Sequence, residues 1–230
     1  MLRRQRPEGN PLAAYFNANQ DGRLIHKWLH YFDIYHRHFA PYRDRTVTIV
    51  EFGVYHGGSL QMWRHYFGSR ARIIGVDIDP RCAELTGPGI EVRIGDQADP
   101  EFLRRLVAEV GPIDVVIEDG GHTMEQQLTT FRELWPAVTD GGLYLVEDLH
   151  TSYWSEYGGG YRRQGTFIEY AKSLVDTLHA WHSRDEHSFV VDDLTRSIRG
   201  MHFYDSVLVL DKAVVEAPTH RKTGKPSREE

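Results

Sequence analysis

Cysteine is nearly absent from the sequence, which has one such residue, Cys82, among 230. A single cysteine cannot form a disulfide within the chain, and this composition is typical of proteins in a reducing cytoplasm. Long apolar runs are also missing, since no stretch approaches the roughly 20 residues needed to span a bilayer. Residues 1–11 are basic and polar with no apolar segment behind them, unlike a secretion signal. We therefore expect a cytoplasmic protein that does not contact membranes.

An excess of basic residues is missing too. The chain has 27 Lys and Arg against 33 Asp and Glu, a net charge of −6, so nothing electrostatic predicts a nucleic-acid partner. A length of 230 residues suffices for one α/β domain with a substantial core. We predict a single domain over residues 21–216, preceded by a flexible arm (1–20) and followed by a disordered tail (217–230).

Strand-like and helical segments alternate along the chain. The predicted strands are residues 46–51, 72–77, 91–94, 113–118 and 143–147, with a closing hairpin at 197–203 and 207–210. The predicted helices are residues 58–67, 100–110, 124–135 and 166–181. This order predicts an α/β fold, a Rossmann-like, doubly wound and mostly parallel seven-stranded sheet with a C-terminal antiparallel hairpin.

An earlier amphipathic helix is predicted before Pro41, from apolar residues that recur at helical spacing: Ile25, Trp28, Leu29, Phe32, Tyr35 and Phe39. This aromatic stripe is larger than a small domain usually exposes to water. We expect it to pack either on the sheet or across a two-fold interface.

Polar and glycine residues follow each of the first three strands. Ligands of doubly wound sheets bind at the carboxyl ends of the strands. The candidate cofactor-binding residues are Glu51, Gly53, Tyr55, Gly58 and Ser59 after the first strand, Asp77 after the second, and Asp96 and Gln97 after the third. Each motif alone has a structural explanation, as a turn or a helix cap. Their succession in this order favours a cofactor that contains adenosine.

The glycine spacing distinguishes between two such cofactors. Nicotinamide dinucleotides are bound by G-x-G-x-x-G, whereas here Gly53 is followed by Val54-Tyr55 and then by Gly57 and Gly58. S-adenosylmethionine has no phosphate, and its positive sulfonium and amino groups suit a carboxylate such as Glu51. We therefore expect S-adenosylmethionine rather than NAD.

Acidic residues follow the fourth and fifth strands. Asp119, Glu147 and Asp148 are predicted to converge, and clustered carboxylates favour a hard divalent cation such as Mg²⁺. The alternative is that Glu147 and Asp148 cap the next segment. His122 lies three residues after Asp119 and is the candidate general base, with His150 a weaker second candidate. Aromatic and glycine residues at 151–161 suit a lid over a hydroxylated acceptor.

Six motifs together resemble the macrocin- and mycinamicin-type sugar O-methyltransferases, over residues 31–212: EFGVYHGGSL (51–60), GVDIDP (75–80), GDQAD (95–99), EDGGH (118–122), EDLHTSYW (147–154) and HFYDS (202–206). The resemblance implies a transferase of antibiotic biosynthesis that uses S-adenosylmethionine and Mg²⁺ to methylate a sugar hydroxyl of a glycosylated natural product. It also implies metal ligands at Asp119, Glu147 and Asp148, a general base at His122, and a homo-oligomer, either a dimer or a tetramer. The sequence shows no counterpart of the long N-terminal domain that some members carry.

Three alternatives remain open at this point. The acceptor can be a catechol-like or other small diol, because two oxygens on one metal serve either acceptor. The chain can also be a relative that binds cofactor and metal without catalysis, although intact Asp119, His122, Glu147 and Asp148 argue against this. A NAD-binding protein is disfavoured by the glycine spacing.

Overall fold

The strands of the central sheet agree closely with the predicted pattern in the computed structural model, which describes residues 9–185, 187–225 and 227. In chain order they are β1 (Thr48–Phe52), β2 (Arg72–Asp77), β3 (Ile90–Ile94), β4 (Ile113–Glu118), β5 (Val138–Val146), β6 (Ile198–Tyr204) and β7 (Val207–Lys212). The helices are α1 (Pro11–Ala18), α2 (Tyr31–Phe39), α3 (Gly58–Phe67), α4 (Pro100–Val110), α5 (Met124–Leu134) and α6 (Phe167–His179).

The seven strands form one sheet in the order β3-β2-β1-β4-β5-β7-β6. The first five strands are parallel, and β7 and β6 are antiparallel, which confirms the predicted fold class. The order in which strands are added to the sheet reverses between the parallel neighbours β1 and β4, where Phe52 pairs with Glu118. This is the switch point at which doubly wound sheets bind ligands.

Alternating strand residues divide the core into two layers. On β1, Ile49 packs with one cluster, which contains buried side chains of α1, α2 and α3. Val50 packs with the other, which contains those of α4, α5 and α6. Because successive side chains of a strand point to opposite faces, every residue of a central strand faces a helix layer. Side chains that face the ligand therefore come from the strand ends and the loops.

Local capping explains why three helices begin where they do. Asp99 accepts a hydrogen bond from the backbone N–H of Glu101 and is followed by Pro100, which has no N–H to leave unsatisfied. Thr123 and Gln126 form a reciprocal capping box at the start of α5. The Thr166 side chain accepts a hydrogen bond from the backbone N–H of Glu169 at the start of α6. Two of these starts, α4 and α5, agree with the predicted residues.

The N-terminal region differs from prediction. Within the predicted arm, Pro11–Ala18 is a helix whose Leu12 is fully buried, so the expectation of a loose arm is wrong there. Asn10 caps this helix and also donates to the Phe32 carbonyl at 2.9 Å, which ties it to α2. Residues 1–8 lie outside the described residues. So do residues 226 and 228–230 of the predicted tail, while 217–225 form no helix or strand.

The aromatic helix is shorter than expected, since α2 begins at Tyr31 and not near Ile25. Phe32, Tyr35 and Phe39 are buried in the core, so the stripe packs on the sheet. Trp28 precedes the helix and is exposed. Among the described helices, none is both long and apolar enough to cross a bilayer.

Candidate active site

A cavity of about 720 Å³ opens at the carboxyl ends of the parallel strands. Its walls include most of the predicted cofactor and metal residues: Gly53, Tyr55, Ser59, Asp77, Asp96, Gln97, Asp119, His122 and Asp148. The segment before α2 closes one side with Leu24, Ile25, His26 and Lys27. The predicted residues Glu51, Gly58 and Glu147 are not part of the wall.

Gly53 brings two strand ends together. Its φ is +90°, and a Cβ atom there would lie 2.0 Å from the carbonyl oxygen of Asp119. No larger residue fits without moving the Asp119 backbone. The glycine therefore sets the distance between the loop after β1 and the loop after β4, which together form the floor of the cavity.

Asp77 holds the loop after β1 in place. One oxygen of its carboxylate accepts hydrogen bonds from the backbone N–H groups of Val54 and Tyr55 at 2.9 and 3.0 Å, and the other accepts from Asp79 at 2.9 Å. A carboxylate has about four lone-pair sites, so the oxygen that accepts only from Asp79 has further acceptor capacity. Asp77 can thus still accept hydrogen bonds from a ligand hydroxyl in the cavity.

Gln97 lines the cavity and makes three hydrogen bonds within the protein. Its amide N–H groups donate to Glu118 at 2.6 Å and to Thr130 at 3.2 Å, and its oxygen accepts from Gly121 at 2.9 Å. The amide donors are therefore used inside the protein and are not available to an adenine edge. Gln97 supports the loop that carries His122.

Glu51, a predicted cofactor-binding residue, lies beneath the cavity and not in its wall. Its fully buried carboxylate accepts hydrogen bonds from Ser59 at 2.7 Å and from the Trp63 indole at 2.8 Å. Both donors lie on α3, because Glu51 shares the strand face of Ile49. Burial raises its pKa to about 7. Gly58 is likewise not a cavity residue, since a Cβ there would lie 2.3 Å from the carbonyl oxygen of Leu24.

Asp119, His122 and Asp148 converge at the mouth of the cavity. The Nε2 atom of His122 lies 3.7 Å from Asp119 Oδ1 and 3.6 Å from Asp148 Oδ2. All three residues offer ligand atoms within 4.8 Å of one another. His122 and Asp148 both have left-handed backbone, with φ of +56° and +53°. Such backbone is uncommon in non-glycine residues and often marks a functional site.

Glu147 is paired differently from the prediction of a three-carboxylate metal cluster. Its carboxylate is 1% exposed and accepts hydrogen bonds from the Lys27 ammonium, at 3.0 Å to each oxygen. Lys27 also donates to Asp119 and lies 3.7 Å from Glu51. Lys27, which is 120 residues away from Glu147 in the sequence, thus supplies a positive charge to Glu147 and Asp119. These acids were expected to contact only a metal.

The donor set at the mouth suits a divalent cation. Carboxylate oxygens such as those of Asp119 and Asp148 are ligands that Mg²⁺ or Mn²⁺ prefers, whereas the imidazole of His122 is not needed as a ligand. The Nδ1 atom of His122 is buried and has no hydrogen-bond partner among the described residues, so only the opposite nitrogen faces the two carboxylates. Asp119 and Asp148 therefore fit the predicted metal, while Glu147 faces Lys27.

Sequence reasoning missed three residues at this site: Lys27, Tyr31 and Glu118. The Tyr31 hydroxyl donates to Asp148 Oδ1 at 2.7 Å. Glu118 is fully buried beside Gln97, and burial raises its pKa. Lys27 is the one Lys or Arg among residues 24–30, which could have indicated a buried charge but not its partners.

Aromatic side chains surround His150 on the acceptor side. Its ring centroid lies 4.6 Å from that of Trp154 and 6.0 Å from that of Trp28. Both tryptophans are about half exposed. The predicted lid, residues 151–161, contains short 3₁₀ turns at Leu149–Tyr153 and Ser155–Tyr157.

Comparison with known proteins agrees with this site. Residues 50–149 match a family model described as a methyltransferase domain. The chain is 39% identical over 196 residues to 8-demethyl-8-alpha-L-rhamnosyl tetracenomycin-C 2'-O-methyltransferase of Streptomyces olivaceus, covering 81% of this chain and 51% of that protein. It is 37% identical over 222 residues to demethylmacrocin O-methyltransferase of Streptomyces fradiae, covering 91% and 54%.

A solved structure shows the same architecture. MycE methyltransferase from the mycinamycin biosynthetic pathway, in complex with Mg and SAH, superposes with a TM-score of 0.78 at 34% identity, covering 91% of this chain and 55% of that one. The chain spans about half the length of the curated relatives it matches. In fold, motifs and sequence, the chain is similar to macrocin- and mycinamicin-type sugar O-methyltransferases over most of its own length.

Proposed function

We propose that the protein transfers a methyl group from S-adenosylmethionine to a sugar hydroxyl of a glycosylated natural product, with Mg²⁺ as the second cofactor. The observation that carries the proposal is the convergence of Asp119, His122 and Asp148 at the mouth of the cavity. A general base and two oxygen ligands meet there at the edge of a pocket large enough for a nucleoside.

The cavity wall suits a cofactor without phosphate. Tyr55 and His56 occupy the turn where a dinucleotide fold would leave room for a pyrophosphate. Asp77 offers carboxylate oxygens for a ribose diol, and Asp96 lies beside it in the wall. The similarity to a structure that contains Mg and SAH supports the same assignment.

His122 is the proposed general base. Its Nε2 faces the mouth between Asp119 and Asp148, where it can accept the proton of an acceptor hydroxyl as the oxygen attacks the sulfonium methyl. Asp119 and Asp148 would hold the metal. When bound, Mg²⁺ lowers the pKa of a hydroxyl that it contacts. The protein contributes alignment of the two reactants, which is a large part of the rate acceleration in such transfers.

The acceptor assignment rests on the aromatic residues and on the relatives. Trp28 and Trp154 flank His150 beside the metal residue Asp148 and present exposed ring faces. Such faces bind the apolar face of a sugar ring. The matched proteins are named for sugar-bearing tetracenomycin and macrocin acceptors.

A methyl-transfer assay tests this proposal. Purified protein, S-adenosylmethionine and Mg²⁺ are incubated with a rhamnosylated tetracenomycin, with demethylmacrocin or with a catechol, and products are analysed by mass spectrometry. We expect one added methyl on the sugar of a glycosylated acceptor and none in the presence of a chelator. Methylation of the catechol alone would replace the sugar acceptor with a small diol. Calorimetry that detects NAD binding but no S-adenosylmethionine binding would overturn the cofactor assignment.

A homo-oligomer is also part of the proposal. Phe32, Tyr35 and Phe39 are used inside the core, but Leu24, Trp28 and Leu29 are each more than half exposed. Three neighbouring exposed apolar side chains favour burial against a second copy. Light scattering at micromolar concentration should give at least twice the mass of one chain, and a monomer would contradict this assignment.

A further inference from the structure

Lys27 connects the segment that covers the cavity to the acids beneath the proposed metal site. Its side chain is 3% exposed and its ammonium contacts Asp119, Glu147 and Glu51. The cation comes from the loop between α1 and α2, whereas the three acids come from the ends of β1, β4 and β5. The sheet alone therefore leaves these acids without a counter-charge.

The three acidic side chains that contact Lys27 need a positive charge nearby. Glu51 and Glu147 are almost completely buried, and Asp119 is 19% exposed. Buried charges that have no partner strongly oppose folding. One ammonium among three carboxylates reduces this cost, which makes Lys27 the principal counter-charge of the cluster in the metal-free protein.

Asp119 is shared between Lys27 and the proposed metal site. Its Oδ2 atom accepts from Lys27, while its Oδ1 atom lies on the side of His122. A divalent ion bound by Asp119 and Asp148 would therefore lie close to an ammonium of the same sign. Lys27 and the metal ion therefore compete for the carboxylate of Asp119.

The loop around Lys27 is held in place independently. Asn19 donates to the Arg23 carbonyl at 2.8 Å, and Arg23 donates to the Leu85 carbonyl at 3.1 Å. Leu24 passes over Gly58 at a distance that excludes a Cβ atom. The removal of the Lys27 charge therefore leaves other contacts that keep the loop on the cavity.

We propose that Lys27 is a positioning residue that acts as a built-in counter-cation, holding Asp119 and Glu147 together in the metal-free protein and opposing the divalent ion at Asp119. This inference rests on the proposed metal site. Lys27 thus has two linked effects. It stabilises the protein that has no metal bound, and it lowers the affinity of the protein for the metal.

The test compares Lys27→Met with a matched control, Lys212→Met. Lys212 also has a partly buried ammonium, but it donates to the carbonyls of Trp135 and Pro136, far from the acids. Mg²⁺ binding is measured by calorimetry with the metal alone, and thermal unfolding is measured in chelator and in excess Mg²⁺. We expect Lys27→Met to bind Mg²⁺ on the order of tenfold more tightly, because a like charge beside the ion is removed. Its Tm should fall in chelator and recover most of the loss in Mg²⁺.

Lys212→Met should show wild-type Mg²⁺ affinity and a Tm loss that Mg²⁺ does not recover. Unchanged or weaker Mg²⁺ binding by Lys27→Met would overturn the inference, as would a Tm loss that Mg²⁺ leaves in place. Absence of Mg²⁺ binding by the wild type would instead overturn the proposed metal site, and the wild-type titration alone decides this.

A second variant covers the case in which Lys27→Met does not fold. Glu51→Gln retains an acceptor for the Trp63 indole and removes one buried carboxylate from the cluster. The double variant Lys27→Met/Glu51→Gln should therefore be more stable in chelator than Lys27→Met alone. If it is equally unstable, the effect of Lys27 is packing and not charge, and the inference fails.

Discussion

The side-chain amide of Gln97, in the loop after β3, donates a 2.6 Å hydrogen bond to the buried carboxylate of Glu118 at the end of β4. The oxygen of the same amide accepts from the backbone of Gly121, next to His122. Gln97 thus couples a buried acid to the loop that carries the proposed base.

Gln97→Ala should therefore reduce both stability and turnover. The change leaves Glu118 without its donor, at a cost of about 2–4 kcal/mol in the free energy of unfolding. It also frees the backbone N–H of Gly121. We expect urea unfolding to show this loss and steady-state assays to show a lower kcat. Gln126→Ala, which removes one half of a capping box in the cavity wall, should cost about 1 kcal/mol in the free energy of unfolding. Equal losses for the two variants would contradict the role of Gln97.

Glu51→Gln should change how stability depends on pH. Burial raises the pKa of Glu51 to about 7, above its value in the unfolded chain. The folded protein then holds more protons than the unfolded one between about pH 4.5 and 7, so the free energy of unfolding falls as pH rises through this window. The variant lacks this dependence and should be more stable than the wild type by up to about 3 kcal/mol at pH 8, with no difference near pH 4.

Denaturant unfolding from pH 4 to 8 measures this difference. Glu101→Gln serves as the control, because that carboxylate is exposed at the start of α4. The control should follow the wild type within experimental error. A Glu51→Gln curve parallel to the wild type would show that Glu51 does not titrate in this window.

Most of the fold was predictable from the sequence because its signals are local. The β-branched runs of β2 and β4 and the caps at Asp99 and Thr123 each depend on a few neighbouring residues. The prediction of a flexible arm over residues 1–20 missed α1, because the burial of Leu12 depends on contacts of α1 with α2 and α3. Such packing leaves little trace in a short segment that mixes proline, glycine, asparagine and arginine.

The site was predictable only where residues follow a strand. Asp119, His122 and Asp148 lie in loops at one edge of the sheet, and their convergence follows from topology. Glu51 lies within β1, and the period of two assigns it to the face of Ile49 and α3, so its burial beneath the cavity could have been predicted. Lys27 meets Glu147 across 120 residues, and no local pattern predicts that contact.

Tyr31→Phe should weaken metal binding without removing a ligand. The Tyr31 hydroxyl donates to Asp148 Oδ1 at 2.7 Å and accepts from the Asp148 backbone N–H at 3.3 Å. These bonds orient a carboxylate on left-handed backbone, and the loss of such support typically costs about 10–100-fold in metal affinity. Calorimetric titration with Mg²⁺ measures the change. Tyr66→Phe, whose hydroxyl bonds to His36, should bind Mg²⁺ normally. Wild-type affinity in Tyr31→Phe would show that Asp148 is not a ligand.

The variant His122→Asn tests the role of His122 as general base separately from metal binding. Asparagine tolerates the left-handed backbone at this position, so folding should be retained, but its amide cannot accept a proton at neutral pH. We expect kcat to fall by about 10²–10⁴-fold, the usual contribution of a general base, while calorimetry with S-adenosylhomocysteine gives an unchanged Kd. The residual rate should rise with pH as hydroxide replaces the imidazole.

Asp148→Ala should fail differently, because it loses Mg²⁺ affinity and turnover together while still binding the nucleoside. His202→Ala is the histidine control, since its ring pairs with Asp211 on the C-terminal hairpin. It should keep wild-type kcat. If His122→Asn retains full turnover, or loses activity only through loss of Mg²⁺ that excess metal restores, then His122 is not the base and the proton must leave through another group at the mouth of the cavity.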